Sequence, residues 1–104
     1  MYRLIRSRQA KRDIVEVLRF TRRRWGDGQA REYAALIGEA LVAIATNPEV
    51  GKARQDIRPG VFAYRLRQLG RPARHIVFYR LGDSGVVEVV RVLHEAMNFE
   101  QQLP

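Results

Sequence analysis

Hydrophobic and polar positions change their period along the chain, and the changes mark its elements. Tyr2 to Ser7 alternates weakly, with Tyr2 and Leu4 on one side and Ile5 on the other, which predicts a short first strand. From about Arg8 to Trp25 the apolar set Ala10, Ile14, Val17, Leu18, Thr21 and Trp25 falls on one arc, at ~100° per residue. Arg8, Arg12, Glu16, Arg19 and Arg23 fall opposite, so this is an amphipathic helix with a basic outer face, and Ser7 suits its N-cap. As the last member of the apolar arc, Trp25 is expected to serve packing in the core or the helical hairpin.

Gly26-Asp27-Gly28 interrupts the pattern, with Asp27 or Gly28 as the cap of a second helix running to about Thr46. Ala30, Tyr33, Ala34, Ile37, Leu41, Ile44 and Ala45 form its apolar face, and Asn47-Pro48 ends it. Two such helices joined by a short turn should pack antiparallel. Glu49 to Pro59 shows no apolar period and is expected to be a loop.

The period then shortens to two. Phe62, Tyr64 and Leu66 alternate with Ala63, Arg65 and Arg67 in a strand over Val61 to Leu69, and Gly70-Arg71-Pro72 reads as a turn. His75 to Leu81 and Val86 to Leu93 are two further strands around the hairpin signal Gly82-Asp83-Ser84-Gly85. The last strand is apolar on both faces apart from Glu88 and Arg91, which places it centrally. The helical hairpin would cover one face, and Glu95 to Leu103 or a partner protein the other. The predicted fold class is α+β: a short first strand, a helical hairpin, then a three-stranded antiparallel meander packed against it. At 104 residues the whole chain, 1–104, forms one domain.

Composition narrows what such a domain does. Zero cysteines exclude a disulfide framework, a thiolate metal site and a cysteine nucleophile. The amino terminus lacks the apolar run of a signal peptide, and Tyr33 to Ala45 is too short to span a bilayer, so no membrane association and a cytoplasmic location are expected. Of the net charge of +8, residues 1–31 hold +7, with ten Lys/Arg against three Asp/Glu. Only Lys11 and Lys52 are lysine, and this arginine bias suits paired contacts to carboxylates or phosphates. The basic helix face lacks an accompanying recognition motif, so direct sequence-specific nucleic-acid binding is not expected.

Candidate chemistry is sparse. His75 and His94 are the only histidines, no carboxylate stands at ligand spacing from either, and no metal or cofactor is expected. Phosphate-loop, dinucleotide and hydrolase signatures are absent. His94, with Arg91, Arg80, Tyr79 and Arg65 on neighbouring strands, could cleave RNA without metal: the histidine would move a proton and the arginines stabilise a phosphorane. The simpler assignment has His94 bonding the turn after its strand and the arginines pairing with carboxylates.

A set of landmarks runs through nearly the full length: Ala10 and Asp13-Ile14, Trp25-Gly26, Gln29-Ala30, Asn47-Pro48 with Gly51, Ile57-Arg58 with Gly60, His75 with Val77-Phe78-Tyr79-Arg80, and Arg91-Val92-Leu93-His94 followed by Met97. In order and spacing the chain resembles the ParE branch of the RelE/ParE toxin superfamily. Asn98 stands where family members commonly have Asp. The resemblance implies the toxin of a bacterial type II toxin–antitoxin pair, neutralised by a ParD-like antitoxin whose disordered tail folds on it. It further implies inhibition of DNA gyrase without enzymatic activity, the alternative being ribosome-dependent mRNA cleavage of the RelE type by His94, Arg91, Arg80 and Arg65. Arg65, Arg80 and Arg91 are the expected contacts for the acidic groups of the antitoxin.

Overall fold

A computed structural model describes all residues, Met1–Pro104. Strand β1 (Arg3–Arg6) leads into helices α1 (Arg8–Trp25) and α2 (Asp27–Thr46), followed by β2 (Lys52–Ala53), β3 (Val61–Gln68), β4 (Arg71–Leu81), β5 (Val86–His94) and a short α3 (Phe99–Gln102). The strands form one sheet in the order β1-β5-β4-β3-β2. No helix is long and apolar enough to cross a membrane.

The helices start and stop where local chemistry dictates. Ser7 Oγ accepts the Ala10 N–H at 3.0 Å and donates to the Val90 carbonyl at 2.8 Å, so one hydroxyl caps α1 and ties it to β5. Gly26, at φ +97°, ends α1 and caps α2, the position the sequence reading gave to Asp27 or Gly28. Asn47 then ends α2, and its side chain caps a single 3₁₀ turn at Pro48–Val50.

Sheet register departs from the simplest reading in three places. β1 pairs parallel with β5, Arg3 opposite Val86 through Arg6 opposite Val89, so the meander gains a strand from the opposite end of the chain. The segment expected to be a loop contributes β2, whose two residues pair with Phe62 and Ala63. The expected Gly70-Arg71-Pro72 turn is instead the two-residue turn Leu69-Gly70, and β4 starts at Arg71, opposite Gln68. Leu69 and Gly70 both have positive φ, 53° and 76°, the geometry that matches the twist of a tight hairpin.

Alternation along β3, β4 and β5 makes two cores. On one face Leu66, Val77, Tyr79, Val87, Val89 and Val92 pack against Ala10, Ile37, Ala40 and Ile44 of the helical hairpin. On the other, Val61, Ile76, Phe78, Val90 and Leu93 meet Ile57 and Leu103. Of the two covers expected for the second face, the carboxy-terminal segment lies on it: the Phe99 ring is tilted at 56° to that of Phe78 with centres 4.9 Å apart, and Arg58 donates to the Glu100 carbonyl at 2.7 Å. β5 is therefore central and covered on both sides.

Tyr79 joins the sheet to the turn after α2. Fully buried, it donates to the Pro48 carbonyl at 2.6 Å and accepts the Gly51 N–H at 2.9 Å. A Cβ on residue 51 would lie 2.5 Å from that hydroxyl and 2.9 Å from the Ala63 carbonyl, which explains the glycine.

Trp25 corrects the packing expectation. It is 65% exposed despite ending the apolar arc of α1. Ser7 meets Val90, Asp13 meets Val92, and Thr21 borders the same cleft as His94, the last residue of β5. One turn further along the helix, Trp25 borders an open cleft with His75 and His94 and is not packed into either core.

Candidate functional site

The four residues singled out for RNA cleavage do not converge. Arg65, Arg80 and Arg91 belong to the face of the sheet that carries Ile76, Phe78 and Leu93, whereas His94 lies on the helical-hairpin side, its ring 5.2 Å from that of His75. Arg65 and Arg80 lie opposite Ile76 and Val61, and Ile76 and Arg80 are four residues apart on β4, roughly 13 Å along the strand.

Each arginine has its own environment. Arg65 donates to the Ala73 carbonyl at 2.9 Å and to Glu95 at 2.8 Å, and Arg74 holds the other oxygen of Glu95 at 2.9 Å. Hydrogen bonds from Arg65 and then Arg74 pull the Glu95 carboxyl below its usual range. Arg80 is looser, its Nε 3.9 Å from Glu88 and without a hydrogen-bond partner.

Arg91 is held most firmly. A shift of register in β5 opposite Phe78/Tyr79 turns it toward the strand edge just beyond the end of β1. There its Nε and one terminal nitrogen donate to Asp13 at 2.8 and 2.9 Å, and the other donates to the Gln102 carbonyl at 2.8 Å. Asp13 also accepts the Val92 N–H at 2.9 Å, and the hydrogen bonds that Arg91 donates to Asp13 push its guanidinium above its ordinary pKa. All three guanidinium nitrogens thus have partners within the chain. Asp13 appeared in the sequence only as a landmark; the carboxylate it places on α1, near the apolar arc, was the signal that could have found this pair.

His94 is bound as the simpler reading expected. Its Nδ1 accepts the Ala96 N–H at 3.0 Å, and because a backbone amide can only donate, neutral His94 carries its proton on Nε2. His75 Nδ1 is engaged by the Tyr33 hydroxyl at 2.7 Å. Burial, and then the charge of neighbouring His94, push the His75 pKa down to about 4, while burial raises Tyr33. Both rings border a cleft of about 320 Å³ at the overhanging end of α1, where Phe20, Trp25, Gln29, Gln68 and Arg74 also lie. Periodicity alone could not have assembled this group, because it depends on where the hairpin crosses the sheet.

A second groove, between α1 and α2, has Val15, Leu18, Ala30 and Ala34 in its wall and Arg19, Arg22, Arg31 and the single carboxylate Asp27 around it. No group of three or more metal-ligating side chains is present.

Comparison with known proteins agrees with this architecture. The family model described as ParE toxin of type II toxin-antitoxin system, parDE, matches residues 4–99. Toxin ParE1 of Mycobacterium tuberculosis is 37% identical over 101 residues, spanning 97% of each chain. Toxin ParE1 of Caulobacter vibrioides is 38% identical over 102 residues, spanning 98% of this chain and 96% of its own. Among solved structures, the chromosomal ParDE TA system from P. aeruginosa superposes with a TM-score of 0.75 at 18% identity, covering 90% of this chain and 96% of that one, a likeness of fold.

Proposed function

From the premise that the chain belongs to the ParE toxin family of type II toxin–antitoxin systems, we propose that it acts by binding DNA gyrase rather than by catalysis, and is held inactive by a ParD-like antitoxin. The observation that carries the non-catalytic part is the separation of His94 from Arg65, Arg80 and Arg91, the one cation that shares its cleft, Arg74, being paired with Glu95. A metal-free nuclease needs a proton-transfer group and cations converging on one phosphate. Here the histidine faces the helical hairpin and the most buried arginine is fastened to Asp13.

An antitoxin partner finds complementary chemistry on two surfaces. The groove between α1 and α2 offers apolar side chains with three arginines against one carboxylate, Asp27, around them, which suits the apolar face of an acidic segment that folds on binding. Across the sheet, Arg80 and the Arg65–Glu95–Arg74 cluster offer cations to its carboxylates. Arg91, grouped with them at the level of sequence, serves the fold through Asp13.

The purified chain tests the proposal in two parallel assays, gyrase-driven plasmid supercoiling and mRNA cleavage on translating ribosomes. Loss of supercoiling, restored by the antitoxin, is the expected result. Ribosome-dependent cleavage with supercoiling intact would instead establish the nuclease reading, and neither effect would leave a chain that only assembles with its antitoxin.

A further inference from the structure

We propose that the cleft at the overhanging end of α1 is a base-tolerant subsite for a nucleobase bearing a phosphate, with Trp25 as its stacking platform. At about 320 Å³ the cleft sits at the small end of ligand pockets, which span about 300–1,000 Å³. Two large aromatic side chains, Trp25 at 65% and Phe20 at 59% exposure, stand at it without serving either core. Exposed aromatic rings beside cations are the means by which proteins hold single nucleobases, because every base presents a π-face. The Arg24 guanidinium lies 5.3 Å from the centre of the indole, so it occupies one side of the ring and adds positive charge there.

Polar groups in the cleft fit the edge of a base. Gln29 and Gln68 each carry a donor and an acceptor, so they can pair with any base by rotating the amide. Both histidines spend Nδ1 on internal partners, which leaves Nε2 as the free polar atom of each ring. No carboxylate lines the cleft, and Arg74, 75% exposed with one nitrogen on Glu95, is the cation at hand for a phosphate. A flat protein partner would use the aromatic rings but leave the half-buried Gln68 amide and the two half-buried imidazoles without bonds, which argues for a small planar ligand that reaches them. Base-tolerant binding of this kind needs no recognition helix, so the lack of a sequence-reading motif does not oppose it.

The same chemistry occurs in a free nucleotide and in a single strand. Trp25 is the only tryptophan, so its fluorescence reports on the cleft directly. The intact chain is titrated with adenosine monophosphate, with a six-residue oligothymidylate and with inorganic phosphate. Saturable quenching by the first or second, absent with phosphate, is expected. Tenfold tighter binding of the oligomer, with strong salt dependence, assigns the site to single strands, and comparable affinity assigns it to free nucleotides. Arg74→Gln and Gln68→Ala should each weaken binding at least fivefold with an unchanged circular dichroism spectrum. Trp25→Ala, read by calorimetry, should weaken it tenfold or more. No saturable change with either nucleotide, equal quenching by inorganic phosphate, or binding indifferent to all three substitutions overturns the proposal. So does a Trp25 signal that responds only to a protein partner.

Discussion

Asp13 and Arg91, 78 positions apart, are joined by two hydrogen bonds of 2.8 and 2.9 Å, and Asp13 takes a third from the Val92 N–H. On the side away from β4, where β1 has ended, the bulged end of β5 has no strand beside it, and one carboxylate from α1 takes that place. Both side chains are only 14% exposed. Asp13→Ala would strand a nearly buried guanidinium and a backbone donor, and is expected to cost about 3 kcal/mol. Urea unfolding checks this, and a loss below about 1 kcal/mol would mean that the pair does not tie α1 to the sheet.

Tyr79 and Gly51 should behave as one unit. Tyr79→Phe leaves the Pro48 carbonyl and the Gly51 N–H without their partner, at an expected cost of about 1–3 kcal/mol. Gly51→Ala forces a methyl group against the hydroxyl and should cost about 1–3 kcal/mol. With the hydroxyl gone the tightest of these contacts goes, while the Ala63 carbonyl and Tyr79 Cε1 stay at 2.9 Å, so the double variant should lose somewhat less than the sum of the singles. Strict additivity in thermal unfolding would show that the hydroxyl is not what excludes a side chain at position 51.

His75 links stability to pH. Its proton affinity is lower folded than unfolded, so below its ordinary pKa of 6.5 the unfolded chain binds the extra proton. The contribution is fully present above 6.5, is lost as pH falls toward about 4, and changes no further below that. His94 opposes a charge on His75, while Asp13 and Glu95 favour it. After discounting for remaining solvent contact, the change should be about 1–2 kcal/mol. His75→Asn should flatten this part of the profile, seen as the difference between the two proteins' unfolding curves at pH 7, 5.5 and 4.5.

For the antitoxin, reversing Arg65 and Arg80 together to glutamate should weaken binding at least tenfold by calorimetry. Arg65→Glu also breaks contacts with Ala73 and Glu95, so Arg80→Glu alone is the cleaner arm. Unchanged affinity in the double variant, with native unfolding behaviour, would remove both residues from the interface.

Periodicity made most of this architecture legible. The two helices, the three long strands and the capping by Ser7 are local properties of the chain, set by side-chain spacing and hydrogen bonds to nearby backbone. Pairing of β1 with β5, and the placement of Lys52–Ala53 against Phe62 and Ala63, are long-range choices that spacing does not encode. Trp25 shows the same limit from the other side. It ends the apolar arc of α1, and its burial depended on what packs at that end of the helix, where an open cleft lies instead of the core. His94 was readable as a turn-bonding residue, but the Tyr33–His75 contact that sets its surroundings was not.

The parallel register of β1 with Val86–Val89 also orders events during synthesis. Ribosomes release the amino terminus first, at about 5–20 residues per second. Arg3–Arg6 therefore emerges long before the strand it pairs with has been made. Until β5 has left the exit tunnel, the first strand has no seat in the sheet, Ser7 has no Val90 carbonyl to bond, and Asp13 has no Arg91. The nascent chain must hold its basic helical hairpin without a completed sheet until β5 is free to pair with β1 and receive Ser7 and Asp13.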